Sequence, residues 1–208
     1  MSVILMASGG LDSTTLAYWL LHRGVNIIPV FVNYGQHCAD TELASLRQVL
    51  PLQALKDLRI IEVNGCYVGS ASRMLRAADL WEEEVSDDDL YVPMRNQILL
   101  TVGAAIAEAN SVKQVFSAFI ESNVAKGRDC STSFLNGIRD FIKSYTDVTL
   151  EFPFMEMTKR QVAGIGADLG VPLSQTYSCL ASPLVPCGVC PNCVDRNDAL
   201  ETLKNRAS

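Results

Sequence analysis

A short run of glycine and hydroxyl residues near the start of the chain has the composition of a phosphate-binding turn. The run is Ser8-Gly9-Gly10-Leu11-Asp12-Ser13-Thr14. Two adjacent glycines let the backbone approach phosphate oxygens, because they carry no Cβ atom that would clash. Where such a turn leads from a strand into a helix, the unpaired N–H groups of the first helical turn attract anions. We expect Ser8, Ser13 and Thr14 to donate hydroxyl hydrogen bonds to the same oxygens, and Asp12 to hold Mg²⁺ or to cap the helix.

Two better-known phosphate motifs are absent from the sequence. There is no G-x-x-x-x-G-K-[ST] segment, which disfavours a P-loop that transfers a γ-phosphate. There is no G-x-G-x-x-G segment, which disfavours a dinucleotide site. The glycine run therefore indicates either another kind of nucleotide site or an ordinary strand-to-helix turn with a polar cap.

Four cysteines close to the end of the sequence have the spacing of a metal site. Cys179, Cys187, Cys190 and Cys193 form C-x7-C-x2-C-x2-C, and Gly188 permits a tight turn between them. Four thiolates can surround Zn²⁺ tetrahedrally and leave no open ligand position, which predicts a structural ion. An iron–sulfur cluster and a disulfide pair are the alternatives.

Composition narrows the class of protein. The chain has 208 residues, of which 49% are hydrophobic and 19% are charged, so it can form one sizeable core. Its formal charge is −6, which argues against broad binding of nucleic-acid backbones. The most apolar stretch, residues 96–107, is too short to cross a bilayer. No basic leader segment is visible, so we expect a cytoplasmic protein without membrane contact.

The hydrophobic pattern predicts alternating strands and helices, and therefore an α/β fold with a parallel sheet. The predicted strands cover residues 3–7, 27–32, 58–63, 114–118 and 148–152. The predicted helices cover residues 14–23, 40–50, 70–80, 95–110, 133–145, 158–169 and 195–205. Gly24 and Gly170 are expected to end helices, and Thr158 to cap one. An acidic segment at residues 79–89 is expected to form a solvated turn or a lid over a site.

The run S-G-G-x-D-S after the first predicted strand resembles the pyrophosphate loop of the N-type ATP pyrophosphatases. Further segments make the chain similar to one family of that superfamily, QueC, the 7-cyano-7-deazaguanine synthases. The segments that resemble QueC motifs are Ser8–Thr15, Tyr34-Gly35-Gln36-His37, Val92-Pro93-Met94-Arg95-Asn96, Thr158-Lys159, and Ser178-Cys179 with Cys187-Gly188-x-Cys190, Cys193 and Arg196.

This resemblance implies a fold and a reaction. The expected fold is a Rossmann-like domain of the adenine nucleotide alpha hydrolase type, with one domain over residues 1–208. Residues 1–170 would form the ATP pyrophosphatase core, and residues 171–208 the zinc-binding segment. The enzyme would use ATP with Mg²⁺ to adenylate 7-carboxy-7-deazaguanine. Ammonia would then give the amide, and a second activation the nitrile. Family members are homodimers, which we expect here too.

The resemblance also assigns roles to residues. The residues expected to bind ATP are Ala7, Ser8, Gly9, Gly10, Leu11, Asp12, Ser13, Thr14, Thr15, Val32 and Asn33. The residues expected to act in catalysis are Asp12, Ser13, Arg95 and Lys159. The residues expected to bind the substrate are Tyr34, Gln36, His37, Arg95, Asn96, Asn123, Lys126 and Arg128. The alternatives are a surface ion pair for Arg95, a solvated position for Lys159 and a purely hydrogen-bonding role for His37.

The chain departs from the family pattern in the segment expected to enclose the substrate. In residues 117–131 only Asp129-Cys130 of the pattern is kept, and Met94 stands where the family has glycine. Two hypotheses therefore accompany the synthase: transfer of the activated deazaguanine to another amine, such as a protein amine in an antiphage system, and a different adenylating enzyme that acts on tRNA. A third is an inactive nucleotide-binding module.

Overall fold

The computed structural model of the chain describes residues 2–76, 89–120, 129–181 and 185–207, and the side chains of all of these except 206 and 207. Five strands in this part of the chain form one parallel sheet in the order β3-β2-β1-β4-β5. The strands are β1 (Ser2–Met6), β2 (Asn26–Asn33), β3 (Arg59–Glu62), β4 (Gln114–Phe116) and β5 (Thr149–Glu151). The predicted α/β fold with a parallel sheet is confirmed. The strand order reverses between β1 and β4, where a crevice opens at the carboxyl edge of such sheets.

Helices connect the strands and cover both faces of the sheet. They are α1 (Leu11–His22), α2 (Ala39–Val49), α3 (Leu52–Leu55), α4 (Arg95–Ala109), α5 (Thr132–Lys143), α6 (Lys159–Asp168) and α7 (Pro191–Ala207). Short 3₁₀ turns lie at Asn64–Tyr67, Arg73–Leu75 and Leu173–Gln175. None of the helices in the described ranges has the length and apolar character that a bilayer-spanning helix requires.

Alternation along the central strand divides the core into two layers. Val3 and Leu5 of β1 face the layer built with α1, α2, α6 and α7, whereas Ile4 faces the layer built with α4 and α5. All three side chains are almost completely buried. A strand that is buried on both faces has a continuous apolar sequence, which is why β1 could be predicted from the sequence.

The residues that were predicted to cap or end helices lie at helix termini in the structure. Thr158 caps α6 in a capping box, in which its side chain accepts from the N–H of Gln161 and the Gln161 side chain accepts from the N–H of Thr158. Gly24 and Gly170 follow α1 and α6 with φ near +70°. These are the conformations that let glycine end a helix.

Three predicted elements differ in the structure. Residues 70–80 do not form the predicted helix over their described part, because the Ser72 hydroxyl accepts from the N–H of Met74 and closes a 3₁₀ turn instead. Helix α1 begins at Leu11, three residues before the predicted start, and α7 begins at Pro191, four residues before. Proline is favoured at a first helical position. Most of the acidic segment 79–89 lies outside the described residues.

Candidate nucleotide cleft and cysteine cluster

A cleft of about 280 Å³ opens at the carboxyl ends of β1, β2 and β4, where the strand order reverses. Its walls come from the residues that follow these three strands and from α2, α4 and α7. The predicted site residues that line it are Ala7, Ser8, Gly10, Asp12, Ser13, Val32, Tyr34, Gln36, Arg95 and Asn96. The cleft therefore brings together both predicted groups, those assigned to ATP and those assigned to the second substrate.

The glycine loop, residues 8–13, requires glycine at its second position. Gly9 has a φ of +77°, in the left-handed region that favours glycine. A Cβ atom there would lie 2.6 Å from the carbonyl oxygen of Glu42 and 2.8 Å from the backbone nitrogen of Leu46. Helix α2 thus packs directly against the loop, and only a residue without a side chain fits between them.

Hydroxyl groups on the loop converge on its open side. The Ser8 and Ser13 Oγ atoms are 3.1 Å apart, and the Ser8 N–H donates to Ser13 Oγ over 3.2 Å. Gly10 is the N-cap residue of α1 and has no side chain to occupy the free N–H groups of the first turn. The loop can therefore offer both N–H and O–H donors to an anion.

The carbonyl group of Gly9 is held by two distant segments. The Ser45 hydroxyl on α2 donates to it over 3.1 Å, and the N–H of Tyr177 donates to it over 3.0 Å. The Ser45 hydroxyl also lies 3.2 Å from the carbonyl oxygen of Gln175. The conformation of the loop is consequently fixed from outside as well as by its own glycines.

An ion pair adjoins the loop at the start of two helices. The Lys159 Nζ atom, in the first turn of α6, lies 2.6 Å from Asp12 Oδ2, in the first turn of α1. The two side chains are only 15% and 19% exposed, so Lys159 is not the solvated residue of the alternative interpretation. Since Gly10 is the N-cap, Asp12 does not cap α1. Its Oδ1 atom is buried and accepts no hydrogen bond from the described residues.

Four of the residues assigned to ATP do not line the cleft with their side chains. Leu11, Thr14 and Thr15 are buried beneath the loop, because the inner face of α1 packs into the core. The Asn33 side chain accepts from the N–H of Gly35 and so shapes the turn after β2. These residues could therefore contact a nucleotide only through their backbone atoms.

The turn after β2 carries a glutamine that organises its neighbours. The Gln36 Oε1 atom accepts from the N–H of Tyr34 over 2.9 Å, and Nε2 donates to the carbonyl of Val32 and to Glu42 Oε2, the latter over 2.9 Å. The Gln36 side chain is buried. His37, by contrast, does not line the cleft. Its N–H donates to the carbonyl of Met74, and its buried Nε2 atom has no partner among the described residues.

Glu42 is a functional candidate that the sequence did not reveal. It projects from α2 into the cleft, where one carboxylate oxygen accepts from Gln36. Burial raises the pKa of Glu42 to about 7, although the Gln36 hydrogen bond and the charge of Arg95 lower it. Its position shortly after β2, just beyond the Gln36 turn, was the signal in the sequence that could have indicated a functional role. Acidic residues are common in the first turn of a helix, however, so this position did not distinguish Glu42 from a structural residue.

Arg95 enters the cleft from the first turn of α4. Its guanidinium contacts Met74 Sδ and Asn96 Oδ1 at 3.1 and 3.2 Å and lies 5.9 Å from the centre of the Tyr34 ring. Burial raises the pKa of Tyr34 to about 12, so the ring stays neutral at physiological pH. Arg95 thus adds a positive charge to the cleft lining, and this charge interacts with the Glu42 carboxyl group.

The retained Asp129-Cys130 pair anchors the start of α4. The Asn96 N–H donates to Asp129 Oδ2 over 3.2 Å, and the Asn96 side chain donates to the Asp129 carbonyl and to Cys130 Sγ. Asn96 is 4% exposed, so these hydrogen bonds are shielded from solvent. Met94 precedes them with a φ of +55°, the conformation that suits the glycine expected by resemblance. Asn123, Lys126 and Arg128 lie outside the described residues.

The cysteine cluster, Cys179, Cys187, Cys190 and Cys193, meets the geometric requirement for a bound metal ion. Its four Sγ atoms lie within 4.8 Å of one another, close to the edge of about 3.8 Å that a tetrahedral Zn²⁺ site requires. Three backbone N–H groups donate to these sulfurs: Cys187 and Ala181 to Cys179, and Cys190 to Cys187. Such donors stabilise thiolate charge. The donor set and its surroundings therefore fit one tetrahedral cation.

Two residues beside the cysteine cluster form part of the cleft wall, which the cysteine spacing alone did not predict. Leu180 follows the first cysteine and Asn192 lies between the last two, and both line the cleft. Together with the bond from Tyr177 to Gly9, these contacts join the cluster to the glycine loop. A metal held here would keep one wall of the cleft in place.

Comparison with known proteins gives consistent matches along the whole chain. The sequence profile of a family described as "Queuosine biosynthesis protein QueC" matches residues 2–204. The 7-cyano-7-deazaguanine synthase of Methanospirillum hungatei is 31% identical, over 98% of this chain and 96% of that protein. The enzyme of the same name from Nitratiruptor sp. is also 31% identical, over 93% and 90% of the two chains.

Solved structures share the fold at low sequence identity. A 4-thiouridine synthetase, crystallised with RNA and bound ATP, superposes with a TM-score of 0.56 at 16% identity. The match covers 99% of this chain but about half of that protein, 53%. A predicted subunit of a tRNA methyltransferase from Methanocaldococcus jannaschii gives a TM-score of 0.53 at 17% identity, over 81% of this chain. At this level of identity, these structures support the Rossmann-like fold alone.

Proposed function

The chain belongs to the QueC family, and we propose that it is an ATP-dependent ligase that adenylates 7-carboxy-7-deazaguanine and couples it to ammonia. The amide formed first is activated again and dehydrated to the nitrile, 7-cyano-7-deazaguanine. The observation that carries this proposal is the glycine loop with its Asp12–Lys159 ion pair, open to the same cleft as Arg95. The relatives that share the whole chain with it are named for the nitrile product.

The glycine loop suits the first step, in which a carboxylate oxygen attacks the α-phosphorus of ATP and pyrophosphate leaves. A carboxylate is a poor electrophile, so its oxygen must first be converted into a good leaving group. Negative charge builds up on the departing pyrophosphate. The N–H groups of residues 9–13 and the Ser8 and Ser13 hydroxyls stabilise that charge, with Lys159 beside them. The adenine is placed along Val32 at the end of β2.

Arg95 suits the second anion. It lines the same cleft as the glycine loop, and in this proposal its guanidinium binds the substrate carboxylate, which holds the two reacting anions together. Gln36 and Asn96 are both buried and held by hydrogen bonds, so the polar groups around Arg95 are pre-organised. Tyr34 provides a neutral aromatic face on the same wall.

Two metals are part of the proposal. Asp12 Oδ1, which has no partner in the described part of the chain, is the group that would hold Mg²⁺ with the phosphates. Such an ion supplies charge neutralisation on phosphate oxygens. The cysteine cluster would hold Zn²⁺ as a structural ion that stabilises the Leu180 and Asn192 wall. We also propose a cytoplasmic homodimer.

Mass spectrometry of a reaction with pure protein tests the proposed function. The mixture contains 7-carboxy-7-deazaguanine, Mg·ATP and ammonia. We expect AMP, pyrophosphate and 7-cyano-7-deazaguanine, with the amide as an intermediate. The absence of AMP formation would contradict the proposed function, as would formation of ADP in its place.

A second candidate shares the activation step but uses a different amine as acceptor, such as a protein amine in an antiphage system. It is favoured by the departures from the family pattern at Met94 and in residues 117–131, next to the substrate residues. The same experiment separates the two candidates. AMP with an adenylate or an amide but no nitrile would favour the second, and nitrile as the only product, with no protein adduct, would exclude it.

A further inference from the structure

We propose that Glu42 is the general base that accepts a proton from the amine as it displaces AMP from the acyl-adenylate. This role rests on the proposed function and adds a catalytic residue to it. The reaction needs such a group, because an amine nitrogen that has attacked a carbonyl carbon carries a proton it must lose. Among the described residues that line the cleft, Glu42 and Asp12 are the two acidic ones, and Asp12 is already paired with Lys159.

The carboxyl group of Glu42 lies where the reaction would take place. The backbone of Glu42 packs against the glycine loop, its carbonyl oxygen lying where a Gly9 side chain would be. Its carboxyl group reaches the cleft beside Gln36 and interacts with the charge of Arg95. The side chain therefore lines the same cleft as the loop proposed to hold the phosphates and the cation proposed to hold the carboxylate. We place the acyl-adenylate carbonyl in this cleft, within reach of Glu42.

Hydrogen bonds also fix the orientation of the Glu42 carboxyl group. A catalytic base works best when a partner fixes its geometry and leaves one oxygen for the reaction. Gln36 Nε2 donates to Glu42 Oε2 over 2.9 Å, and Gln36 itself is fixed by Val32 and by the N–H of Tyr34. Gln36 is 6% exposed, so this arrangement is rigid. No hydrogen bond from the described residues reaches Glu42 Oε1, and the side chain lines the cleft.

The protonation behaviour of Glu42 suits a base. Burial raises the pKa of Glu42 to about 7, where a base can both accept a proton and release it to water afterwards. The titratable groups that interact with it are Arg95 on α4, Tyr34 after β2 and Cys38 before α2. Burial raises the pKa values of Tyr34 and Cys38, so both are neutral near pH 7. Arg95 is then the one charge that faces Glu42 among the described residues.

In the proposed step, the ammonia lone pair forms the C–N bond to the acyl carbon, and an N–H proton passes to Glu42 Oε1. The C–O bond to the AMP phosphate breaks, and AMP leaves with the electron pair. Amide and AMP are the products, and Glu42 returns its proton to water. A protein amine would pass through the same step, so the role of Glu42 does not depend on the acceptor.

The test compares Glu42→Gln with the wild type in two half-reactions. Adenylation, followed as exchange of labelled pyrophosphate into ATP in the presence of 7-carboxy-7-deazaguanine, needs no base and should continue near the wild-type rate. Amide formation from ammonia should fall about 100-fold or more, the usual contribution of a general base. Glutamine can still accept from Gln36, so the local hydrogen bond survives.

Two readouts separate a proton acceptor from a structural residue. With the concentration of free NH3 held constant across the pH range, the wild-type rate of amide formation should fall below an apparent pKa near 7, since the base must be unprotonated, and Glu42→Gln should lose this decrease. Hydroxylamine should restore product formation by Glu42→Gln, because it is a far weaker base than ammonia and gives up its proton to water. Asp40→Asn is the matched control, since Asp40 is exposed on the same first turn of α2.

The outcomes distinguish the role of Glu42 from the proposed function. Equal losses of exchange and amide formation in Glu42→Gln, or an unchanged rate of amide formation, would overturn the role of Glu42 while leaving the proposed function intact. Should Glu42→Gln prove unstable, Glu42→Asp replaces it. Glu42→Asp should form the amide more slowly than the wild type but with the same decrease in rate at low pH, and loss of that decrease would contradict the proposal. Failure of the wild type to exchange pyrophosphate would overturn the proposed function and this role together.

Discussion

The two sides of the cleft are built in different ways. The phosphate side consists of the glycine loop, which includes Asp12, and of Lys159, which pairs with Asp12. The loop is one contiguous segment that leads into α1 and is held by α2 and Tyr177. The substrate side consists of Tyr34, Gln36, Glu42, Arg95 and Asn96, which come from the turn after β2 and from two helices. The phosphate side is therefore one continuous loop that distant segments hold in place, whereas the substrate side is assembled from side chains of separate elements.

This difference indicates where the chain can vary. The glycine at position 9 cannot be replaced without a clash against α2, and the sequence of the loop agrees with the family motif. Met94 and residues 117–131, which depart from that motif, belong to the segments assigned to the substrate. A family that keeps ATP activation while changing what it activates, or the amine it uses, would show this distribution of differences.

The largest effect should come from the cysteine cluster, which supports the phosphate side through Tyr177. We expect Cys190→Ser to release bound metal and to lower the free energy of unfolding by more than about 4 kcal/mol, because one thiolate of a closed site is lost. Metal content and thermal unfolding measure this. Cys66→Ser is the control, since Cys66 is an exposed free cysteine. Equal stability of the two variants would show that the cluster holds no structural ion.

Removal of the ion pair beside the loop should affect the phosphate side selectively. We expect Lys159→Ala to slow pyrophosphate exchange by about 100- to 1,000-fold, because one preorganised positive charge is lost at the developing pyrophosphate. Arg160→Ala is the adjacent control, since Arg160 is exposed and pairs with Asp198 instead. If both variants exchanged at the wild-type rate, Lys159 would be a structural partner of Asp12 and no more.

Two glycines with the same backbone conformation separate steric from conformational effects. Gly9 and Gly24 have φ values of +77° and +73°, but of the two only Gly9 has backbone atoms within 3 Å of the position that a Cβ atom would take. We expect Gly24→Ala to cost about 1 kcal/mol in unfolding free energy, and Gly9→Ala about 2–4 kcal/mol. Denaturant unfolding measures both. Similar losses would mean that α2 can move away from the loop.

The smallest effect should come from Met94, on the substrate side. Its φ of +55° is strained for methionine, and its side chain is 53% exposed, so little burial would be lost on truncation. We expect Met94→Gly to raise the free energy of unfolding by about 0.5–1 kcal/mol. Met94→Ala keeps the strain and serves as the control. A less stable Met94→Gly would show that this methionine contributes contacts which outweigh the strain.

The sequence predicted the features that are local in the chain. The glycine loop, the cysteine spacing and the Thr158 cap each depend on residues within about one turn or loop, and the structure has all three. The pairing of Lys159 with Asp12 spans 147 positions, and no local pattern contains it. Both residues were assigned to catalysis by resemblance, but their contact was not foreseen.

Glu42 shows why the rest of the site could not be predicted. In the sequence it is an ordinary acidic residue in a first helical turn, and its function becomes visible only when α2 packs against Gly9 and brings its carboxyl group to Gln36. Leu180 and Asn192 are similar, since they line the cleft only because the cysteine cluster folds beside it. His37 belongs to the same motif as Gln36 but is not among the described residues that line the cleft, so its assignment to the substrate stays a prediction.

The most direct test of the central claim, that the phosphate side activates a carboxylate by adenylation, is to follow oxygen atoms. The reaction is run with 7-carboxy-7-deazaguanine labelled with ¹⁸O in its carboxylate, and the AMP is analysed by mass spectrometry. We predict ¹⁸O in the AMP phosphate, because the carboxylate oxygen remains on the α-phosphorus when the amine displaces AMP. Unlabelled AMP, or label in inorganic phosphate with ADP as the nucleotide product, would contradict this claim.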